Sequence, residues 1–544
     1  MLHTHQSNNA DVSVVIPGSP LPNNRKAYFV GSGIASLAGA AFLIRDGLIP
    51  GDNIHIFEEL TRTGGSLDGA GLAEKGYVIR GGRMIEEHYV CTYDLFANIP
   101  SLTDQAKSVK DEIVEFSHQY VSFSRCRLVR DGKKVDVSSF GLSEKDRLDL
   151  LSLLIHSEDS LGAKRIEDWF SPTFFENNFW LMWATMFAFQ PWHSVVELKR
   201  YLLRFIQLFP DFNKMGGVWR TPYNQYDSMI LPLTTWLKAQ GVHFSLNAEV
   251  TGLDFDLGGD QRSVKSICYT SDGEYNNISL TPDDLVFVTL GCMTENSSLG
   301  SMTSPAILNS KKSGGSWALW EDIANGRPGF GHPAVFAEHI EQTKWQSFTV
   351  TLNDPAFFQF IEEFTGNEAG TGGLFTLVDS NWFMSIVLAH QPHFINQPEN
   401  IFVFWGYGLF PDRIGNFVNK PMSDCTGEEI LIELFQHLKL GDKAQSIIDG
   451  AICIPCLMPF ITSQFMPRVK GDRPDVVPVG AKNFAFIGQF CEIPDEVVFT
   501  VEYSVRSALM AVYKLLDIKK EIPPVFKGQH DVGVLLNALE TMHR

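Results

Sequence analysis

An α/β fold, in which a discontinuous Rossmann-type nucleotide domain carries a substrate-binding α+β domain and helical insertions, is predicted by three observations. Near the start, "AYFVGSGIASLAGAAFLIRDG" reads as a short apolar strand ending at Val30, a glycine turn, and a helix rich in small residues from about Ile34. "NIHIFEE" then supplies a second strand, Ile54 to Phe57, that delivers Glu58 27 residues after Gly31. Far downstream, "DDLVFVTLG" and "NFAFIGQF" hold short apolar runs that stop at Gly291 and Gly488, as buried parallel strands do.

Each element has a chemical reason. Gly31 and Gly33, with Ser32 between them, let the backbone approach a pyrophosphate, and Ser36 stands where a third glycine would let strand and helix pack closely. The helix N-terminus then aims its free N–H groups at the phosphates. Glu58, with Glu59 beside it, can accept ribose hydroxyls. In "TRTGGSLDG" the Gly64-Gly65 pair and Ser66 resemble flavoprotein sequences in which a second glycine turn follows the ribose-binding acid, so FAD is the expected cofactor. "GVHFSLNAEVTGLDFD" (241 to 256) reads as an alternating strand pair that lays Val250 against the adenine, and "TVEYSVRSALMAVYKLL" as a long helix from about Thr500 behind the Gly488 strand. The nucleotide domain therefore collects 26–91, 236–294 and 476–518. Residues 92–235 and 295–475 are left as substrate-binding regions, with a polar, turn-rich arm at 1–25 and a tail at 519–544.

The bulk numbers exclude several classes. At 544 residues the chain has room for two or three domains. A net charge of −19 with no block of like charges argues against nucleic acid as a partner. The first 25 residues lack the basic end and apolar run of a secretory signal, and no apolar stretch reaches the roughly 18 residues of a spanning helix. A cytoplasmic protein follows, at most peripheral to a membrane, with monomer and homodimer both open. Eight cysteines, single except for Cys453 and Cys456 in "CIPC", fit buried thiols in a reducing compartment and no metal site.

The aromatic share of 12%, with 41 Phe and 11 Trp, leans toward apolar pockets. From Trp169 to Pro210 rings occur at almost every turn, which fits either inter-domain core or the lining of an apolar cavity. Polar candidates within reach are His193, Tyr201, Tyr223, Asn224, Gln225 and Tyr226. No nucleophile elbow, HExxH helix or GK[ST] phosphate loop is present, so hydrolase, metallopeptidase and NTPase readings fall away.

Taken together, "GSGIASLA", "IHIFEEL", "GGSLDG", "RGGR", "FAFQPWHS", "RTPYNQYDS", "ITSQFMPR", "IGQF" and "VFTVEYSVR" resemble the oleate hydratases, or myosin-cross-reactive antigen proteins, in family order over about residues 25 to 515. The resemblance implies an FAD-containing enzyme, a lyase, that adds water to the cis-9 double bond of oleate and related unsaturated free fatty acids to give 10-hydroxy acids. Its flavin would have no redox role. It also assigns a proton donor to Tyr201 in "ELKRYLLRF", a substrate contact to Gln225, and the carboxylate end to His393 in "HQPHF". An ordinary tyrosine pKa of about 10 keeps such a donor neutral and still acidic.

The stretch "RGGRMIEEH", 80 to 88, departs from the family. Where better-known members read R-G-G-R-E-x-E-N, with the first glutamate activating water, this chain has Met84, which cannot take a proton. The resemblance then moves water activation to Glu86 or Glu87, or to backbone and flavin groups. Arg80 and Arg83 would contact the flavin phosphates or ring edge, and Gly81 and Gly82 would let the loop fold tightly. Val387 and Ala389 stand where polar carboxylate contacts are expected. Two other classes compete: a flavin-dependent fatty acid or polyene oxidoreductase or isomerase, and a lipid carrier without activity.

Overall fold

A computed structural model describes residues 23–310 and 314–543. The expected arm at 1–25 falls largely on residues 1–22, outside the described residues. Asn23 is already tied to the body, its backbone N–H donating to the Leu48 carbonyl at 3.0 Å.

Five strands, β1 (Ala27–Val30), β2 (Ile54–Glu58), β3 (His243–Leu246), β4 (Leu285–Thr289) and β5 (Phe484–Ile487), form one sheet in the order β5-β4-β1-β2-β3. Every neighbouring pair is parallel. β1 and β5 are buried along their whole length, the pattern of strands covered on both faces. Helix α1 (Ile34–Arg45) lies close against β1 and against α2 (Val501–Leu515) because its residues are small. A Cβ at Gly39 would sit 2.6 Å from the Phe29 ring and 3.7 Å from Ala508.

The stretch 241–256 differs from the expected strand pair. Its two strands do not pair with each other: β3 joins the parallel sheet beside β2, while Ala248–Asp256 joins an antiparallel three-stranded sheet with Ser263–Ser271 and Glu274–Ser279. Only Asn247, at φ +53°, separates them, too little chain for a hairpin but enough to pass from one sheet to the next.

A second large sheet has eight strands, in the order Ser298–Leu299, Ala451–Met458, Trp345–Leu352, Phe402–Gly408, Met384–Val387, Leu374–Leu377, Leu128–Arg130 and Lys133–Lys134. Cys453 and Cys456, three apart on one strand, face opposite sides of it and join different cores, both as free buried thiols. A short hairpin, Gly69–Leu72 and Gly76–Ile79, is laid on the Trp345–Leu352 strand. The Tyr77 and Ile79 N–H groups donate to the Thr351 and Thr349 hydroxyls at 2.9 and 3.1 Å. That seam delivers the 80–88 loop to the space between the two large sheets.

Most of the aromatic insert is core. Phe179, Trp183, Phe209 and Phe212 pack on one another with centroids 5.3 to 6.4 Å apart. The expected tail at 519–544 carries a 12-residue helix, Val532–His543, and its Phe526 ring stacks on His88 at 3.6 Å. Among the described residues no helix is long and apolar enough to cross a membrane.

Candidate functional site

Two cavities meet at the 80–88 loop. Arg80 lines one of them and residues 81–86 line the other.

The first cavity is a cleft at the carboxyl ends of the parallel strands, lined by Gly31, Ser32, Gly33, Glu58, Glu59, Gly65, Ser66, Val250 and Gly488. Gly31 holds φ +89°, a left-handed conformation that glycine adopts without penalty, and its N–H reaches back to the Phe57 carbonyl at 2.9 Å. The second glycine turn is stacked on the first, with the Gly64 N–H donating to the Ser32 carbonyl at 3.0 Å. Gly33 caps α1 with no side chain, and a Cβ there would meet nothing within 4 Å. The first-turn N–H groups of α1 thus open onto free space, the arrangement that receives a pyrophosphate. Glu58 is held in place by the Ser32 N–H at 3.0 Å and hydroxyl at 2.6 Å on one oxygen and by the Leu60 N–H at 3.0 Å on the other. Partial burial and the carboxylates of Glu295, Glu58 and Glu249 push Glu59 up to about 7. The residues present therefore fit a dinucleotide.

Not every residue expected at the nucleotide lies in that cleft. Ser36 is buried beneath it, its hydroxyl 3.3 Å from that of Thr289, so it joins helix to strand rather than lining the cavity. Arg83 and Thr500 line the second cavity instead. Residues that sequence reasoning passed over, among them Glu249, Met293, Glu295 and Ser316, complete the cleft wall.

The second cavity is an apolar tunnel. Phe187, Phe205, Leu208, Val218, Trp345, Leu374, Val387, Trp405 and Tyr407 supply its wall, with Tyr201, Gln225, His390, His393, Arg83, Glu86 and Arg220 as polar members. Tyr201 stands on the Val195–Arg204 helix, started by the Ser194 hydroxyl as N-cap. Its ring is 1% exposed and packs against Phe187, Phe189, Phe205 and Phe465. Burial, reinforced by Glu197, holds the phenol well above the ordinary tyrosine range and hence neutral, while Arg83 opposes the shift. The hydroxyl donates to the Val498 carbonyl.

The loop glutamates part company. Glu86 lines the tunnel, with one oxygen 2.9 Å from Arg204 Nη1 and the other accepting the His88 N–H at 3.0 Å and lying 2.8 Å from its Nδ1. Burial would raise its carboxyl, but His88 and Arg204 overcome that and set it below the usual range. The Glu87 side chain is 64% exposed and lies outside the tunnel lining. Met84 does line it. Gly81 and Gly82 do not hold a tight turn. Neither has a positive φ, and a Cβ on either would be at ordinary distance, 3.5 to 3.8 Å, from Arg83 or Trp405.

At the other wall Gln225 donates its amide to the Gly81 carbonyl at 2.5 Å, tying that wall to the loop. Burial lowers His393 to about 4, so its imidazole is neutral at pH 7 and offers a hydrogen bond but no charge. His193, Asn224 and Tyr226 do not line the tunnel. His193 accepts the Gln190 N–H at 2.9 Å inside the core, Asn224 holds Asp227 and the His393 carbonyl, and Tyr226 lies under Arg62. Among the described residues no cluster suits a metal.

The likenesses to known proteins follow this geometry. The chain is 43% identical over 530 residues to an oleate hydratase of Streptococcus pyogenes serotype M49 (strain NZ131), covering 95% of this chain and 89% of that protein. It is 34% identical over 562 residues to a linoleate hydratase of Lactiplantibacillus plantarum, covering 95% of this chain and 98% of that protein. The structure of putrescine oxidase with bound putrescine shares the fold, with a TM-score of 0.52 at 12% identity over 91% of this chain and 100% of that one. The profile described as the MCRA family matches residues 24–513, from the foot of β1 through the tunnel walls to the end of α2, and the chain belongs to that family.

Proposed function

We propose that the protein is a fatty acid hydratase that adds water across the cis-9 double bond of oleate and related unsaturated free fatty acids, giving 10-hydroxy acids. The observation that carries this reading is a neutral phenol buried in an apolar tunnel beside a dinucleotide cleft, in a chain akin over 95% of its length to two fatty acid hydratases. FAD is the cofactor of this reading, and when bound it supplies a ring that shapes and charges the inner end of the tunnel without net electron transfer. Gly31, Ser32 and Gly33 would face its pyrophosphate, Glu58 and Glu59 its ribose, and Val250 its adenine. Gly65, Ser66 and Gly488 would line its path, with Arg83 and Thr500 toward the ring. The nucleotide unit is 26–91, 236–294 and 476–518, and the remaining tunnel walls come from 92–235 and 295–475.

Hydration needs a proton at one alkene carbon and a water at its neighbour. In this reading Tyr201 gives its proton to C9, and Arg83 offsets the charge left on the phenolate. Water bonds to C10 and loses a proton to Glu86, which later returns to the phenolate through solvent. A carboxylate held below the usual range is a weak base. It suffices because water becomes strongly acidic as it bonds to a cationic carbon. Gln225 keeps the loop against the tunnel wall, and His393 donates toward the carboxylate end.

Mass spectrometry of oleate incubated with the FAD-loaded protein tests the reading. A mass gain of one water with the new hydroxyl on C10 is expected. A loss of two hydrogens with bleaching of the flavin, or unchanged oleate, would overturn it.

A further inference from the structure

The tunnel holds a cation without a partner. Arg220 lines it, and its Nη1 donates to the Ser122 hydroxyl at 2.9 Å and to the Gly370 carbonyl at 3.3 Å. Its Nη2 is buried and has no hydrogen-bond partner. No carboxylate among the described residues offsets the charge, and burial alone draws the guanidinium down to about 10. An enclosed guanidinium with one edge pinned and the other idle is costly unless an anion completes it.

The surroundings decide which anion. The other charged members of the lining are Arg83 and Glu86, and Glu86 is already matched by Arg204. Arg83 lies over the Phe499 ring at 4.7 Å and interacts with Tyr201, whereas Arg220 is held by Ser122 and Gly370. On the Arg220 side the remaining donors carry no charge: His390 and His393 are held below the ordinary imidazole range, Tyr223 is a neutral phenol, Gln225 is a neutral amide with one N–H on Gly81, and Val387 and Ala389 offer none. The indole N–H groups of Trp345 and Trp405 are also without partners, but they are uncharged, and Trp405 borders Gly82 on the loop. Room for the guanidinium is kept by Gly373, where a Cβ would come within 2.7 Å of Nη2. An apolar bore with a single fixed, unopposed positive charge in this wall suits a monoanionic amphiphile with a long hydrocarbon chain.

We propose that Arg220 anchors the substrate carboxylate through its free Nη2, taking over a wall where Val387 and Ala389 present no donors. This rests on the reading of the tunnel as a fatty acid site. The test uses the full-length, FAD-loaded protein and two probes of equal chain, oleate and oleyl alcohol, with the affinity of each measured alongside hydration of oleate. Wild type should bind oleate at least about tenfold more tightly than the alcohol. Arg220→Met should bring that ratio close to one, chiefly by raising KM for oleate, and Arg220→Lys should restore part of it. Should Arg220→Met fail to fold, Gly373→Ala sets a methyl against Nη2 and should lower the same ratio. A ratio left unchanged in Arg220→Met or Gly373→Ala, with oleate still hydrated, would overturn the anchor and leave the hydratase reading standing. A wild type that neither binds nor hydrates oleate would overturn both.

Discussion

The cleft and the tunnel recognise in opposite ways. The cleft is built largely from main chain, two stacked glycine turns and the open end of α1, with side-chain carboxylates only at the strand ends beside them. The tunnel is made of side chains, apolar over most of its wall, with its charges on Arg83, Glu86 and Arg220. A main-chain site fails only when its path is blocked. A side-chain site fails one functional group at a time, so the two respond differently to substitution.

Blocking the cleft should have the largest effect. Gly33→Val would put a branched side chain into the space where Gly33 now meets nothing within 4 Å, and flavin should be lost on purification. A yellow variant with unaltered affinity would break the assignment of the cleft. Next comes the tunnel's carboxylate. Glu86→Gln removes the proposed acceptor but keeps its shape, and turnover should fall by about 10² with flavin still bound. Undiminished turnover would remove Glu86 from the reaction.

A third effect concerns the scaffold behind the tunnel. His193 accepts the Gln190 N–H, and its full burial draws it down to about 3. The unfolded chain, with an ordinary pKa of about 6.5, binds more protons between these values, so stability is complete above pH 6.5 and declines as pH falls. The slope contributed is at most ~1.4 kcal/mol per pH unit within that window. Denaturant melts at pH 7 and pH 5 should show a smaller acid loss in His193→Gln than in wild type. The smallest effect belongs to Glu87. Its exposed side chain predicts that Glu87→Gln changes both stability and the activation barrier by less than about 0.5 kcal/mol.

The same contrast explains what the sequence could reveal. The turn at Gly31 to Gly33, the acid at Glu58 and the second turn at Gly64-Gly65 all lie in one short stretch of chain, where Ser32 joins the three, and their order and spacing are readable for that reason. Arg220 gave no such signal. Its partners, Ser122 and Gly370, lie 98 and 150 residues away, so only the folded sheet brings them together. His390 and Trp405 reach the tunnel in the same way, from separate strands and loops. Tyr201 could be placed on a helix, but the rings that enclose it include Phe465, from a distant segment. The aromatic run from Trp169 to Pro210 overstated the tunnel, because rings of similar size pack on each other as readily as they line a cavity. The helix at Val532–His543 has a readable signal within the tail, its apolar residues at 532, 535, 536 and 539.

The central claim is that the tunnel reacts through one phenol while binding is supplied elsewhere. Tyr201→Phe removes a single oxygen and leaves the ring among Phe187, Phe189, Phe205 and Phe465. Oleate affinity and 10-hydroxystearate formation should be measured side by side in this variant and in wild type, both loaded with FAD. The account predicts nearly unchanged affinity and a rate lower by about 10² to 10⁴. Hydration at the wild-type rate, or a loss explained wholly by weaker binding, would contradict it.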